Sequence, residues 1–170
     1  MAGINIGLNA GLCFVINSGT VGAALEAAIT GLPAVAFSAC LEPSLYQQWV
    51  EHRELTGPVA EGTIAATSQR TVRMMGKLIE HGMPQEAMIL NVNFPRRLQP
   101  DTPARWVPIL DNRYGSLFKR EGDAFVHAYR GDSWHGELYG DRTVLENGEI
   151  SVTPISLRGL SVNVGNPIDL

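Results

Sequence analysis

The sequence predicts an α/β fold: a parallel sheet with helices, followed by a β-rich segment. Three observations carry that expectation. Helical and strand-like stretches alternate between residues 19 and 95. The strand-like stretches are almost wholly apolar, as in strands buried on both faces. Beyond residue 95 the helical period gives way to short runs divided by turn residues.

Residues 19–30 (GTVGAALEAAIT) read as a helix capped by Ser18 and closed by Gly31-Leu32-Pro33, with Val21, Ala24, Leu25, Ala28 and Ile29 on one side. Pro33 to Ser38 follows as a buried strand. Leu45, Trp49 and His52 share a helical face. Residues 64–81 form a longer helix whose stripe is Ile64, Val72, Met75 and Ile79, ended by Gly82 and Pro84. Residues 88–94 (MILNVNF) are a strand stopped by Pro95. After a loop over 99–103, β-like runs cover 105–110, 124–130 and 149–157, while 161–170 carries no helical pattern. The glycine- and asparagine-rich loop starts at residue 3, so no strand precedes it, and the chain reads as entering a βα unit midway.

At 170 residues the length suits one domain, with 1–95 as the α/β core and 96–170 as a β-rich extension of it. A net charge of −4 and a pI near 5.5 argue against nucleic acid or an acidic membrane as the main partner. No apolar stretch reaches membrane-spanning length, and residues 11–16 lack a signal peptide's basic flank. Cys13 and Cys40 have neither metal nor redox spacing, so both read as reduced core residues of a cytoplasmic protein.

The chemistry concentrates at the start. Gly3-Ile4-Asn5-Ile6-Gly7-Leu8-Asn9 precedes Ser18-Gly19-Thr20, which opens a helix. Glycines let backbone approach a ligand closely, Asn offers a neutral oxygen to a metal, and a helix start offers free amides to a phosphate. Turn chemistry also accounts for Asn5 and Asn9, and a simple N-cap for Ser18. As a hydrolytic nucleophile, Ser18 lacks a nearby His base. His127 and His135 read as hydrogen-bonded or solvent-facing, and Asp132 as a turn residue. Asp111, Asp123 and Asp141 match no metal loop by spacing. Asn91 and Asn93 share one strand face and either support the pocket or tie down the loop after Phe94.

The blocks GINIGLN, SGTVGAALEA and GLPAVAFS, followed by LNVNFP, Arg130-Gly131 with Trp134, and Asp141 before GEISVTPI, keep their order along the chain. In that order they resemble the SurE family of metal-dependent 5′/3′-nucleotidases, also described as acid phosphatases. The resemblance implies a SurE-like, Rossmann-like sheet without its first βα units, and a β-rich segment used for subunit contacts in a homo-oligomer. It implies a nucleoside monophosphate or other phosphomonoester as substrate and Mg²⁺ or Mn²⁺ as cofactor. Carried over by position, Asn5 is a metal ligand, and Ser18, Gly19 and Thr20, with Asn9 close by, line the phosphate pocket. The family's Asp-Asp metal ligands have no counterpart in this sequence; Ala2 stands where Ser is usual, and Asn17 where Tyr is usual. One neutral amide does not replace carboxylates around a hard cation. The expectation is therefore a phosphatase fold with little activity in this chain alone. The alternative is a non-catalytic phosphate-binding or oligomerisation module.

Overall fold

The computed structural model of the chain describes residues 1–134 and 139–159, and only the backbone at 132 and 134. Its centre is a five-stranded sheet in the order β1 (Ala2–Ile6), β2 (Ala34–Ala39), β3 (Ile89–Phe94), β9 (Ile150–Ile155), β4 (Ala104–Trp106). The first three strands run parallel, β9 is antiparallel to β3, and β4 is parallel to β9. Both β4 and β9 come from the part of the chain beyond residue 95, so the β-rich segment contributes to the same sheet. Its remaining strands form two ribbons, β5 (Asn112–Tyr114) with β8 (Asp132–Trp134), and β6 (Phe118–Glu121) with β7 (Ala124–His127).

β2 and β3 are buried at every residue, as their apolar runs require. Alternate side chains go to opposite faces. Val35, Phe37, Leu90, Val92 and Phe94 meet Met74, Met75 and Leu78 of α4 (Pro58–His81), with the Phe37 and Phe94 rings stacked 5.8 Å apart. On the other face Ala34, Ala36 and Ile89 meet Val15 of α1 (Leu12–Ile16) and Val21 and Ala24 of α2 (Gly19–Ile29). The β1–α2–β2 and β2–α4–β3 crossovers thus advance in one direction from opposite faces. They are necessarily of opposite hand, an exception to the usual right-handed rule at one of the two. α3 (Pro43–His52) precedes α4, and α5 (Asp141–Glu146) packs against β9.

Several expectations change. The segment read as an opening loop is itself a strand: Ala2, Asn5 and Ile6 pair with Ala36, Ser38 and Ala39, with a shift in register between Ala2 and Asn5. Gly3 masked it, because its φ of +102° is foreign to regular strands. Any side chain there would place a Cβ 2.2 Å from the Phe37 carbonyl oxygen. The long helix begins at Pro58 rather than at Ile64, since Pro is tolerated in a helix's first turn. Its predicted stripe is largely on the wrong side: Val72 and Ile79 are 72% and 80% exposed, and Ala60, Thr67 and Thr71 are buried instead. α1 and α5 were not anticipated; each is a short helix, below the length at which period is readable. Cys13 and Cys40 stand outside any disulfide and are half-buried rather than core. His135 and the 161–170 stretch lie outside the described residues.

Candidate functional site

Parallel strands of an open α/β sheet present their ligand loops at their carboxyl ends. Here those ends are Ile6, Ala39 and Phe94, and the loop that leaves β1 folds back over β2 and β3. Asn5, half-buried, stands one residue before the end of β1. Its amide nitrogen donates to Gly7 O at 3.0 Å, and among the described residues Oδ1 takes part in no hydrogen bond.

Asn9 is buried and fully engaged. Its backbone N–H donates to Asn93 Oδ1 at 2.8 Å, and its side-chain Nδ2 donates to Ser38 Oγ at 2.7 Å. Its carbonyl oxygen accepts from Asn91 Nδ2 at 2.7 Å and from Asn93 Nδ2 at 3.2 Å. The strand asparagines therefore tie down the loop after β1, not the loop after Phe94. Register brings Ser38, Asn93 and Ser151 side by side across three strands, giving this sheet face a polar stripe beneath the loop.

Two residues further on, a second clamp holds the loop. Buried Asp141 accepts the Gly11 N–H at Oδ2 (2.8 Å), and the Leu110 and Arg142 N–H groups at Oδ1 (3.0 and 2.9 Å). Burial raises its pKa above the ordinary carboxylate value, against the lowering effect of those three N–H bonds and of nearby Arg142. Gly11, at φ +83°, packs so closely on Asn112 that an added Cβ would lie 2.5 Å from that side chain. Asn112 Oδ1 in turn accepts the Cys13 N–H at 3.1 Å. A lone Asp before an apolar β run gave no hint of a loop clamp, and Ser38 was hidden within an apolar strand.

Ser18 caps α2, its Oγ accepting the Val21 N–H at 3.1 Å. Gly19 is exposed and Thr20 half-buried. Both line a cavity of about 410 Å³ shared with Ala2 and Gly3 of β1; Asn5, Asn9 and Ser18 do not border it. The helix start thus meets β1 across an open space, with its first amides and partial positive charge at that end.

A divalent cation at Asn5 would need anionic oxygens beside the amide. Among the described residues no group of three or more His, Cys, Asp or Glu is placed to hold a metal. Asp111, Asp123 and Asp141 are therefore not a cluster: Asp111 faces Arg113 at 3.9 Å, Asp123 faces Arg120 at 3.5 Å, and Asp141 is the loop clamp. The residues described here do not by themselves fit a complete Mg²⁺ or Mn²⁺ site. His127 is exposed with its ring edge-on to Phe118, away from these groups. No helix among the described residues is long and apolar enough to cross a membrane.

Residues 1–116 match the family model described as Survival protein SurE. The chain is 30% identical to the 5′-nucleotidase SurE of Pyrobaculum arsenaticum, an alignment covering 99% of this chain and 61% of that protein. It is 31% identical to the 5′-nucleotidase SurE of Hyperthermus butylicus, covering 96% and 55%. The crystal structure of the SurE protein from Aquifex aeolicus superposes with a TM-score of 0.61 at 25% identity, covering 92% of this chain and 58% of that one. The chain thus spans less than two thirds of the length of these relatives.

Proposed function

The chain belongs to the SurE family, and from that premise we propose that it carries the phosphate-binding part of a metal-dependent phosphatase for nucleoside 5′/3′-monophosphates. The observation that supports this most is the start of α2, where exposed Gly19 and half-buried Thr20 face β1 across a shared cavity. Free amides and the Thr20 hydroxyl there suit a phosphomonoester's anionic oxygens. Ser18 holds the helix start rigid through its cap. Asn9 belongs to the site from below: its four hydrogen bonds fix the backbone that carries Asn5.

Asn5 Oδ1 is the metal ligand in this reading, with Mg²⁺ or Mn²⁺ as the cation. Because the described residues place no carboxylate set around it, the chain alone binds phosphate without hydrolysing it. The same observation favours the second reading, a non-catalytic phosphate-binding or oligomerisation module. Exposed Phe118 and Phe125 on the β6–β7 hairpin supply apolar surface for homo-oligomer contacts.

The test is phosphatase activity of the purified, folded chain on p-nitrophenyl phosphate and AMP with Mn²⁺ or Mg²⁺, against an EDTA control and Asn5→Ala. The expected result is no turnover above the EDTA control. Metal-dependent turnover abolished by Asn5→Ala would overturn the inactivity and restore a working metal site. Covalent capture of Ser18 by a fluorophosphonate would instead make the chain a serine hydrolase.

A further inference from the structure

A second cavity, also about 410 Å³, opens at the carboxyl ends of β2 and β3, between the loop at Leu8 and helix α5. That volume lies within the roughly 300–1,000 Å³ usual for small-molecule pockets. Leu8, Pro95 and Leu145 give it apolar surface, and Arg96, Arg97 and Arg142 bring three guanidinium groups against the carboxylates of Glu42 and Glu146.

These charges are not equivalent. Arg97 Nε is paired with Glu42 Oε1 at 2.8 Å, so that pair is neutral toward a ligand. The Arg142 guanidinium lies 5.7 Å from the centre of the Phe14 ring, and its backbone N–H is held by Asp141. Exposed Arg96 takes part in no ion pair or hydrogen bond among the described residues. Counted by residue, the described lining carries three guanidinium groups against two carboxylates, so a positive balance remains. Guanidinium forks match phosphate oxygens, and apolar surface beside them suits the organic part of a ligand.

We propose that this cavity is an anion subsite for a phosphate-bearing small molecule, its anionic group on Arg96 and Arg142 and its apolar part against Leu8, Pro95 and Leu145. None of Asn5, Ser18, Gly19 or Thr20 borders it, so it stands or falls independently of the cradle at α2. Cys40 lines this cavity, whereas Cys13 lines a separate depression beside Asn112.

The two half-buried thiols therefore serve as probe and control. The full chain is titrated with AMP, adenosine and inorganic phosphate by calorimetry, and alkylation of each cysteine by iodoacetamide is followed by peptide mass spectrometry. AMP is expected to slow alkylation of Cys40 and not of Cys13. Arg96→Gln, an exposed change, should weaken AMP at least about fivefold, the loss of one charge-assisted contact. Glu146→Gln should tighten it, and Ser18→Ala should leave Cys40 protection unchanged. Phosphate binding without adenosine binding assigns the site to the anion alone; tighter AMP than phosphate brings in the apolar surface. Absence of binding, an affinity indifferent to Arg96→Gln, or equal protection of both cysteines would overturn the proposal. Loss of protection in Ser18→Ala with none in Arg96→Gln would place the ligand at α2 instead.

Discussion

Asp141 gathers the N–H groups of Gly11 and Leu110 from two distant segments and that of its neighbour Arg142, and an amide in its place cannot accept all three. In Asp141→Asn the nitrogen faces at least one N–H as donor to donor, so a loss of about 1–3 kcal/mol in urea unfolding is expected. The pH dependence has a definite sign. Burial raises the folded-state pKa, so the folded chain holds this proton to higher pH than the unfolded chain does. The associated stability is full below the ordinary Asp range and is lost as pH rises through the raised value. The deficit of Asp141→Asn should therefore shrink as unfolding is repeated from acid toward neutral pH; a constant deficit would mean that Asp141 ionises normally. Asn93→Ala leaves the buried Asn9 N–H without its acceptor, and should cost more than Ser18→Ala, whose cap is worth about 1 kcal/mol. Equal losses for the two would remove Asn93 from its clamping role. At this scale the sequence showed where glycine and asparagine concentrate and not how the side chains turn. The alternation of glycine and asparagine around Asn5 and Asn9 was visible. That Asn9 turns inward became clear only once β3 lay beneath it, because residues 9 and 93 meet through the sheet and not through the chain.

Elements were legible where burial matched a simple period and obscure where it did not. β2 and β3 stood out because strands buried on both faces need apolar residues throughout, and α2 because Ser18 and Gly31 bracket it. In α4 the period misled. Its large β-branched residues, Ile64, Val72 and Ile79, stand out to solvent, while the smaller Ala60, Thr67 and Thr71 are buried, Ala60 against Leu41 and Leu45. Thr67 hides its hydroxyl by donating to the Thr63 and Ile64 carbonyls, which lets a polar residue pass as core. This yields a contrast measurable by chemical denaturation. Val72→Lys and Ile79→Lys should change stability by about 0.5 kcal/mol or less, as exposed substitutions do. Leu78→Ala, which removes packing from the sheet face, should cost about 1–3 kcal/mol. A large loss at Ile79 would return that face of the helix to the core. The turn from β1 into α1 is equally specific: Gly11→Ala meets both a positive φ and the Asn112 side chain at 2.5 Å. A cost of about 1–3 kcal/mol is expected there.

For the whole molecule, the sheet has one well-covered centre and one thin margin. β3 is flanked on both sides and carries helices on both faces, whereas β1 is, among the described residues, an end strand of five residues with an irregular pairing to β2. Edge strands offer unpaired N–H and C=O groups to other chains, and soluble folds usually blunt them with charge or proline. Residues 2–6 contain neither. Exposed Ile29 and Leu32 at the end of α2, and Phe125 on the β6–β7 hairpin (72% exposed), add apolar surface elsewhere. Hydrophobic burial on association then offsets the entropy cost of joining two chains. Sedimentation velocity should accordingly show concentration-dependent self-association, and two variants separate its sources. Ala2→Lys places a charge on the open edge and should shift the distribution toward monomer if β1 carries the contact. Phe125→Ser should do so if the hairpin carries it. A monomeric, thermally stable parent chain would mean that neither margin is sticky, and that the β-rich segment serves the fold rather than an assembly. If Ala2→Lys alone restores the monomer, the surface where α2 meets β1 is the one that associates. Phosphate binding at Gly19 and Thr20, which line the cavity shared with Ala2, would then depend on protein concentration.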